Sequence, residues 1–240
     1  MRKKIETTSM LCLGFGKDGL IPTVVQDKET KEVLMLVYLD REEFIIGSNK
    51  GLVTFYNKDK SGFWLTGDGE NIENPDIKDI LVNCYQDSLL LQVYDLECRP
   101  YPPFRDRKSR NTLYEGNLLN GGISNLSFDD EGVVPVIVQD IDGDVLMLAY
   151  ANQEAIGISM KSKLATFWSR SRQKLWIKGA EESGNFLDVE GTLSDGNSVI
   201  YNIGPLVGGA CHVKNNEWNN FRSCFYRKLS DDRKSLEYIL

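Results

Sequence analysis

The stretch GGACHVKNNEWNNFRSCFY, residues 208–226, holds the one histidine of the chain, His212, directly behind Cys211, with Cys224 a short loop further on. Two thiols and an imidazole are metal-ligand chemistry. Zinc sites need four ligands, or three protein ligands and an open position. Two thiols alone rarely hold the ion, so a further ligand has to come from another part of the chain. A second stretch with chemical character is FWSRSRQKLWIKG, residues 167–179. It packs Arg170, Arg172, Lys174 and Lys178 close together, with Trp168 and Ser169 just ahead of them, Ser171 between the arginines and Trp176 between the lysines. Guanidinium forks match phosphate oxygens in pairs. On an unbroken strand Trp168, Arg170, Arg172, Lys174, Trp176 and Lys178 would share one face. SRQK also reads as a turn, which would change that parity. The plainer alternative is a solvated basic strand with both tryptophans in the core.

These residues sit in an acidic background. The chain has 240 residues, 41% of them hydrophobic, and a formal net charge of −7. That balance argues against a general nucleic-acid or anionic-membrane binder and leaves room for a local basic site that takes one small anion. The N-terminal MRKKIETTSMLCLGF is basic at its start but has no long apolar core. No run approaches the ~20 apolar residues of a membrane span. The expectation is a soluble cytoplasmic protein. The five cysteines, Cys12, Cys84, Cys98, Cys211 and Cys224, are odd in number, so thiols or metal ligands are expected rather than bridges. Cys12, in SMLCLGF, suits a small buried apolar position.

The elements that must position these residues occur twice. GLIPTVVQDKETKEVLMLVY (19–38) matches GVVPVIVQDIDGDVLMLAY (132–150), LVTFYNKDKSGFWLTG (52–67) matches LATFWSRSRQKLWIKG (164–179), and NCYQDSLLLQV (83–93) lies over SDGNSVIYNI (194–203). A repeat this long is a duplicated domain rather than a solenoid unit. Each copy opens with two β-branched runs around turn residues, which predicts a hairpin. A short helix follows, capped by Asp40 or Asn152, over REEFIIGSNK and QEAIGISMKSK. Further strands are predicted at VTFYN and ATFWS, DILVNCY, SLLLQVY and SVIYNI. The fold class is α+β and strand-rich. The copies are bounded at 1–104 and 125–240, with a polar, glycine-bearing linker at 105–124. Two homologous copies in one chain can pack as two subunits would, in an intertwined pseudo-twofold arrangement.

The copies differ where chemistry is expected. Asn57, Lys58, Asp59, Lys60, Gly62 and Thr66 stand in the first where the second has Ser169, Arg170, Ser171, Arg172, Lys174 and Lys178. The first copy has Cys84 where the second has Ser194. The second has Cys211 and Cys224 where the first has only Cys98. The losses are complementary.

GLIPTVVQD, VLMLAY, ATFWSRSRQKLWIKG…SGN and GGACH…SCFY together resemble the phosphoribosyl-AMP cyclohydrolases of histidine biosynthesis, over nearly the whole chain and twice. The resemblance implies an intertwined dimer-like fold whose zinc sites combine cysteines of both halves. The implied ligands here are Cys84, Cys211 and Cys224, with His212 as the catalytic general base beside them. It implies a purine nucleotide with two phosphates as substrate, which gives Trp168, Ser169, Arg170, Ser171, Arg172, Lys174, Trp176 and Lys178 a binding role. The implied reaction is attack of zinc-activated water on C6 of 1-(5-phosphoribosyl)-AMP and opening of the N1–C6 bond. The family's magnesium motif D-C-D-x-D is here Asn83-Cys84-Tyr85-Gln86-Asp87, so an expectation of magnesium falls on Asp87 alone. The glycine of A-C-H-x-G is replaced by Lys214, and the loop to Cys224 is longer than the family's. Three functions compete: this hydrolase with one zinc site at the interface of the halves; a zinc hydrolase with a different purine nucleotide; and a non-catalytic nucleotide-binding protein with structural zinc.

Overall fold

A computed structural model describes residues 5–6, 13–42, 44, 54–57, 62–65, 76–94, 122–180, 184–232 and 234–239. Most of the first copy's expected helix, Cys12, Cys98, the Lys58–Lys60 stretch, Thr66 and most of the 105–124 linker lie outside them. Among the described residues no helix is long and apolar enough to cross a membrane. The chain divides into two compact units, Met1–Arg99 together with Phe225–Leu240, and Pro100–Cys224.

The first unit is built on one sheet. Its strands are β1 (Ile5–Glu6), β2 (Leu20–Asp27), β3 (Val33–Asp40), β4 (Thr54–Asn57), β5 (Gly62–Leu65), β6 (Asp76–Val82) and β7 (Leu89–Tyr94), joined by β14 (Arg227–Leu229) and β15 (Leu236–Tyr238). The order is β1-β15-β14-β6-β7-β2-β3-β4-β5. The terminal strands belong here because β14 pairs antiparallel with β6, setting Arg227 opposite Val82. The repeat boundary at 125–240, drawn from sequence similarity, therefore does not coincide with the compact units: residues 225–240 group with the first. Ile21, Val25, Leu39, Ile80, Val82, Leu89, Leu91, Leu229 and Leu236 share its core.

In the second unit β8 (Val133–Asp140), β9 (Val145–Asn152), β12 (Val189–Ser194) and β13 (Val199–Ile203) form a sheet ordered β12-β13-β8-β9. A separate ribbon pairs β10 (Thr166–Ser169) with β11 (Lys174–Ile177). Helix α1 (Gln153–Ser162) starts at the expected cap: the Asn152 side chain accepts the Ala155 N–H at 2.8 Å. It ends on Lys163 in the left-handed region, φ 64°. Phe167, Tyr201, Ile137, Leu146, Ile156 and Leu187 fill the core.

The two sheets share their topology. β6-β7-β2-β3 has the order of β12-β13-β8-β9, with β7 parallel to β2 and β13 parallel to β8. The hairpins carry a bulge at the same step, Val25/Gln26 and Val138/Gln139. The repeated Gln-Asp pair follows from this. Gln26 Nε2 donates to the Lys31 carbonyl and Gln139 Nε2 to that of Gly143, each at 2.8 Å, closing the turn. Asp27 accepts the Glu29 and Thr30 N–H groups, and Asp140 those of Asp142 and Asp144. The β6–β7 connection spans residues 83–88, whereas the β12–β13 connection spans only 195–198.

Candidate metal centre and anion site

Cys211 and Cys224 flank a hairpin-like loop in the second unit. Paired glycines start it. A Cβ on Gly209 would meet the Phe221 carbonyl oxygen at 2.2 Å and that of Asn220 at 2.4 Å, so only glycine lets the two limbs close. The limbs are then laced: Ala210 N–H donates to Arg222 O and Cys211 N–H to Phe221 O, each at 3.0 Å, and Asn220 Nδ2 donates to Cys211 O at 2.6 Å. The residues NNEWNN form the tip. Asn215 Oδ1 accepts the Glu217 and Asn219 N–H groups, while Trp218 takes a left-handed φ of 63° and projects into solvent. The longer loop is thus an ordered turn beyond the thiol pair. Arg222 ties the returning limb to the β8–β9 turn through Asp140 (2.5 Å) and Asp142 (2.7 Å), and Cys224 N–H donates to Leu146 O at 2.7 Å.

Both Cys211 and Cys224 are buried, and neither is half of a disulfide. The Val213 N–H donates to Cys211 Sγ at 3.4 Å. His212, next in sequence, faces solvent.

Lys178 is only 5% exposed. Burial pushes its ammonium pKa below the usual lysine range, and the Cys224 and Cys211 charges oppose that shift. This lysine therefore sits in the field of the thiol pair, apart from the rest of the basic stretch. The reason is parity. SRQK forms a turn, with Gln173 at φ 47°, rather than continuing a strand. Phe167 then pairs with Trp176, and Trp168 with Leu175. Trp168 and Trp176 lie on opposite faces of the ribbon, correcting the single-face reading of an unbroken strand. Trp176 packs against buried Phe167 at 5.4 Å between ring centroids, and Lys178 follows on that inner face. Gly179 takes φ 92°, and an added Cβ would lie 2.5 Å from the Asn185 backbone. Asn185 in turn donates to the Gly209 carbonyl at 3.0 Å, linking the lysine's loop to the thiol loop. Asn185 and Gly209 act through close backbone contacts that residue type does not mark; the paired glycines Gly208 and Gly209 are the sequence feature that points to them.

Arg170, Arg172 and Lys174 are exposed around the turn. Arg170 stacks its guanidinium 3.9 Å above the Tyr150 ring. The Ser169 hydroxyl accepts from Arg172 N and Nε at 3.2 and 3.3 Å, with Ser171 Oγ 3.4 Å away. Three cations and two hydroxyls on one turn can receive an anion.

Cys84 is half-buried in the β6–β7 turn of the first unit and is also a thiol. Asn83 organises this turn: its side-chain oxygen accepts the Asp87 N–H at 2.9 Å and the Ser88 N–H at 3.2 Å, and its amide donates to Asp87 Oδ1 at 2.7 Å. Tyr85 is 69% exposed. Asp87 is the only carboxylate of the turn and already accepts from Asn83. Magnesium is ordinarily held by one or two carboxylates together with waters and substrate phosphates, and Asp87 is the one carboxylate this turn offers it.

The family profile for phosphoribosyl-AMP cyclohydrolase matches residues 147–226, which hold the basic turn, Lys178, both thiols and His212. The phosphoribosyl-AMP cyclohydrolase of Chlorobium limicola is 45% identical over 119 residues, covering 48% of this chain and 81% of that protein. That of Prosthecochloris aestuarii is 44% identical, with the same two shares. The histidine biosynthesis bifunctional protein HisIE of Thermus thermophilus is 43% identical over 121 residues, covering 49% of this chain and 53% of its own length.

Proposed function

Because the chain belongs to the phosphoribosyl-AMP cyclohydrolase family, we propose that this enzyme hydrolyses the N1–C6 bond of 1-(5-phosphoribosyl)-AMP at one zinc site shared by its two halves. The observation that carries the reading is the buried Cys211–Cys224 thiol pair, with Lys178 in its field, inside the family-matching segment. Cys84, Cys211 and Cys224 would hold the ion. Cys84, Cys211 and His212 are also a donor set able to hold a metal; in this reading His212 is kept for proton transfer.

Covalent structure supports Cys84 as third thiolate. β14 sets Arg227 opposite Val82, Cys84 lies two residues beyond Val82, and Cys224 lies three residues before Arg227. Each tether spans no more than about 11 Å. This reading takes the two copies, whose sheets share one strand order, as a pseudo-twofold pair.

Zinc, when bound, lowers the pKa of water so that hydroxide is available near neutral pH. The chain's own residues do the rest. Arg170, Arg172 and Lys174, with the Ser169 and Ser171 hydroxyls, receive substrate phosphate. Trp168 and Trp176 flank that turn on opposite faces, so only one can lie against the base. His212 takes a proton from the attacking water and returns one to N1. Oxygen adds to C6, the N1–C6 bond breaks, C6 becomes a carboxamide and N1 keeps its proton in a formamidine.

The experiment is turnover of phosphoribosyl-AMP by the purified, zinc-loaded protein, paired with complementation of a histidine auxotroph. A second reading, a zinc hydrolase with another purine nucleotide, is favoured by the lone Asp87 and the extended 213–223 loop. Turnover of a different purine nucleotide without complementation would select it. No turnover of any purine nucleotide would leave a nucleotide-binding protein with structural zinc.

A further inference from the structure

We propose that Arg227 is a positioning residue, which holds the peptide plane carrying Cys84 and thereby sets the affinity of the metal site. The inference rests on the ligand set just proposed. Arg227 is 5% exposed on β14, and a buried guanidinium is costly unless its N–H groups are used. One of them donates to the backbone carbonyl of Asn83. That oxygen also accepts the Gln86 N–H at 3.1 Å, so both of its lone pairs are engaged.

The held atom matters because a peptide unit is planar. The Asn83 carbonyl oxygen and the Cys84 Cα belong to one rigid plane, so fixing the first fixes the direction from which the second projects its thiol. The turn needs such a hold. Gln86 takes a left-handed φ of 62°; the Asn83 side chain braces residues 87 and 88 and the Gly14 N–H holds the Gln86 carbonyl at 2.7 Å, while Arg227 holds the peptide that leads into Cys84. Arg227 is itself well fixed: its guanidinium carbon lies 5.3 Å from the Tyr226 ring centroid, Tyr226 stacks on Tyr238 at 5.6 Å, and the Ile239 N–H donates to Tyr226 O. The same strand runs back through Tyr226 and Phe225 to Cys224. One arginine therefore orients the turn of one proposed ligand and ends the short segment that leads from another.

The test is a double-mutant cycle on the zinc-loaded full chain, read by competition with a chromophoric chelator and by the thiolate-to-cobalt absorption of the cobalt-substituted protein. Arg227→Met should weaken zinc about 10- to 100-fold, the usual cost of losing an outer partner of a ligand. Arg227→Lys, which keeps the charge but not the fork, should lose less. In a Cys84→Ser background Arg227→Met should add nothing, because its effect passes through that thiol. If Arg227→Met does not fold, Arg227→Lys is carried through the same cycle. Parental zinc affinity in a folded Arg227 variant, or an equal further loss in the Cys84→Ser background, overturns the inference and leaves the ligand set standing. Unchanged affinity in Cys84→Ser alone overturns the ligand set, and the inference with it.

Discussion

Gly209→Ala tests whether the loop geometry is what brings the two thiols of the second unit together. The added methyl would lie 2.2 Å from the Phe221 carbonyl oxygen and 2.4 Å from that of Asn220. Both are backbone atoms, so no rotamer change relieves the clash. Restoring an ordinary contact requires the limbs to part by about 1 Å. The Ala210–Arg222 and Cys211–Phe221 hydrogen bonds, each 3.0 Å, then pass out of range, and the Asn220–Cys211 bond at 2.6 Å weakens. At about 1 kcal/mol each, the loss is about 2–3 kcal/mol. If the separation is borne by the metal-bound state, zinc affinity falls about 30- to 150-fold. Chelator competition reads the affinity, and thermal denaturation of the metal-free protein reads the part borne by the fold. Gly157→Ala is the control: it lies inside α1 with no atom within 4 Å of the new methyl, and should stabilise by about 0.5–1 kcal/mol. A Gly209→Ala protein with parental zinc affinity and parental melting would refute the claim that this glycine holds the limbs closed.

Metal analysis should find one zinc per chain, and Cys84→Ser should lose it as readily as Cys211→Ser; two equal sites would contradict the complementary loss of thiols between the copies. Tyr201, wholly buried, has its pKa raised to about 12 from 10.0 by burial, with Ser159 opposing the shift. A folded pKa above the unfolded one gives stability that is full below pH 10 and lost as pH rises through 12. Denaturant titrations should therefore show Tyr201→Phe gaining about 2–3 kcal/mol on its parent across that window, and a constant difference would refute the assignment. Asn152→Ala removes the α1 cap and should cost about 1 kcal/mol in urea denaturation, with an unchanged midpoint counting against the cap.

What was legible in the chain was local or repeated. Alternating apolar runs around turn residues gave the hairpins β2–β3 and β8–β9, because strand periodicity and turn chemistry act over a few residues. Asn152 was readable as a cap for the same reason. The thiols and the basic turn were conspicuous by residue type and spacing. Long-range pairing decided the rest. The turn at residues 170–173 reversed the chain and put Trp168 and Trp176 on opposite faces, and parity then buried Lys178 beside the thiols rather than with the other cations. Residues 225–240 joined the first unit because β14 found an open edge at β6, a pairing that similarity between repeats does not encode. The role of Arg227 came from that pairing: no local pattern marks an arginine whose acceptor, the Asn83 carbonyl, lies more than half the chain away. Sequence determined which chemical groups the protein owns. Tertiary structure determined which of them share a low-dielectric interior, where burial and proximity set what a charge or a thiol can do.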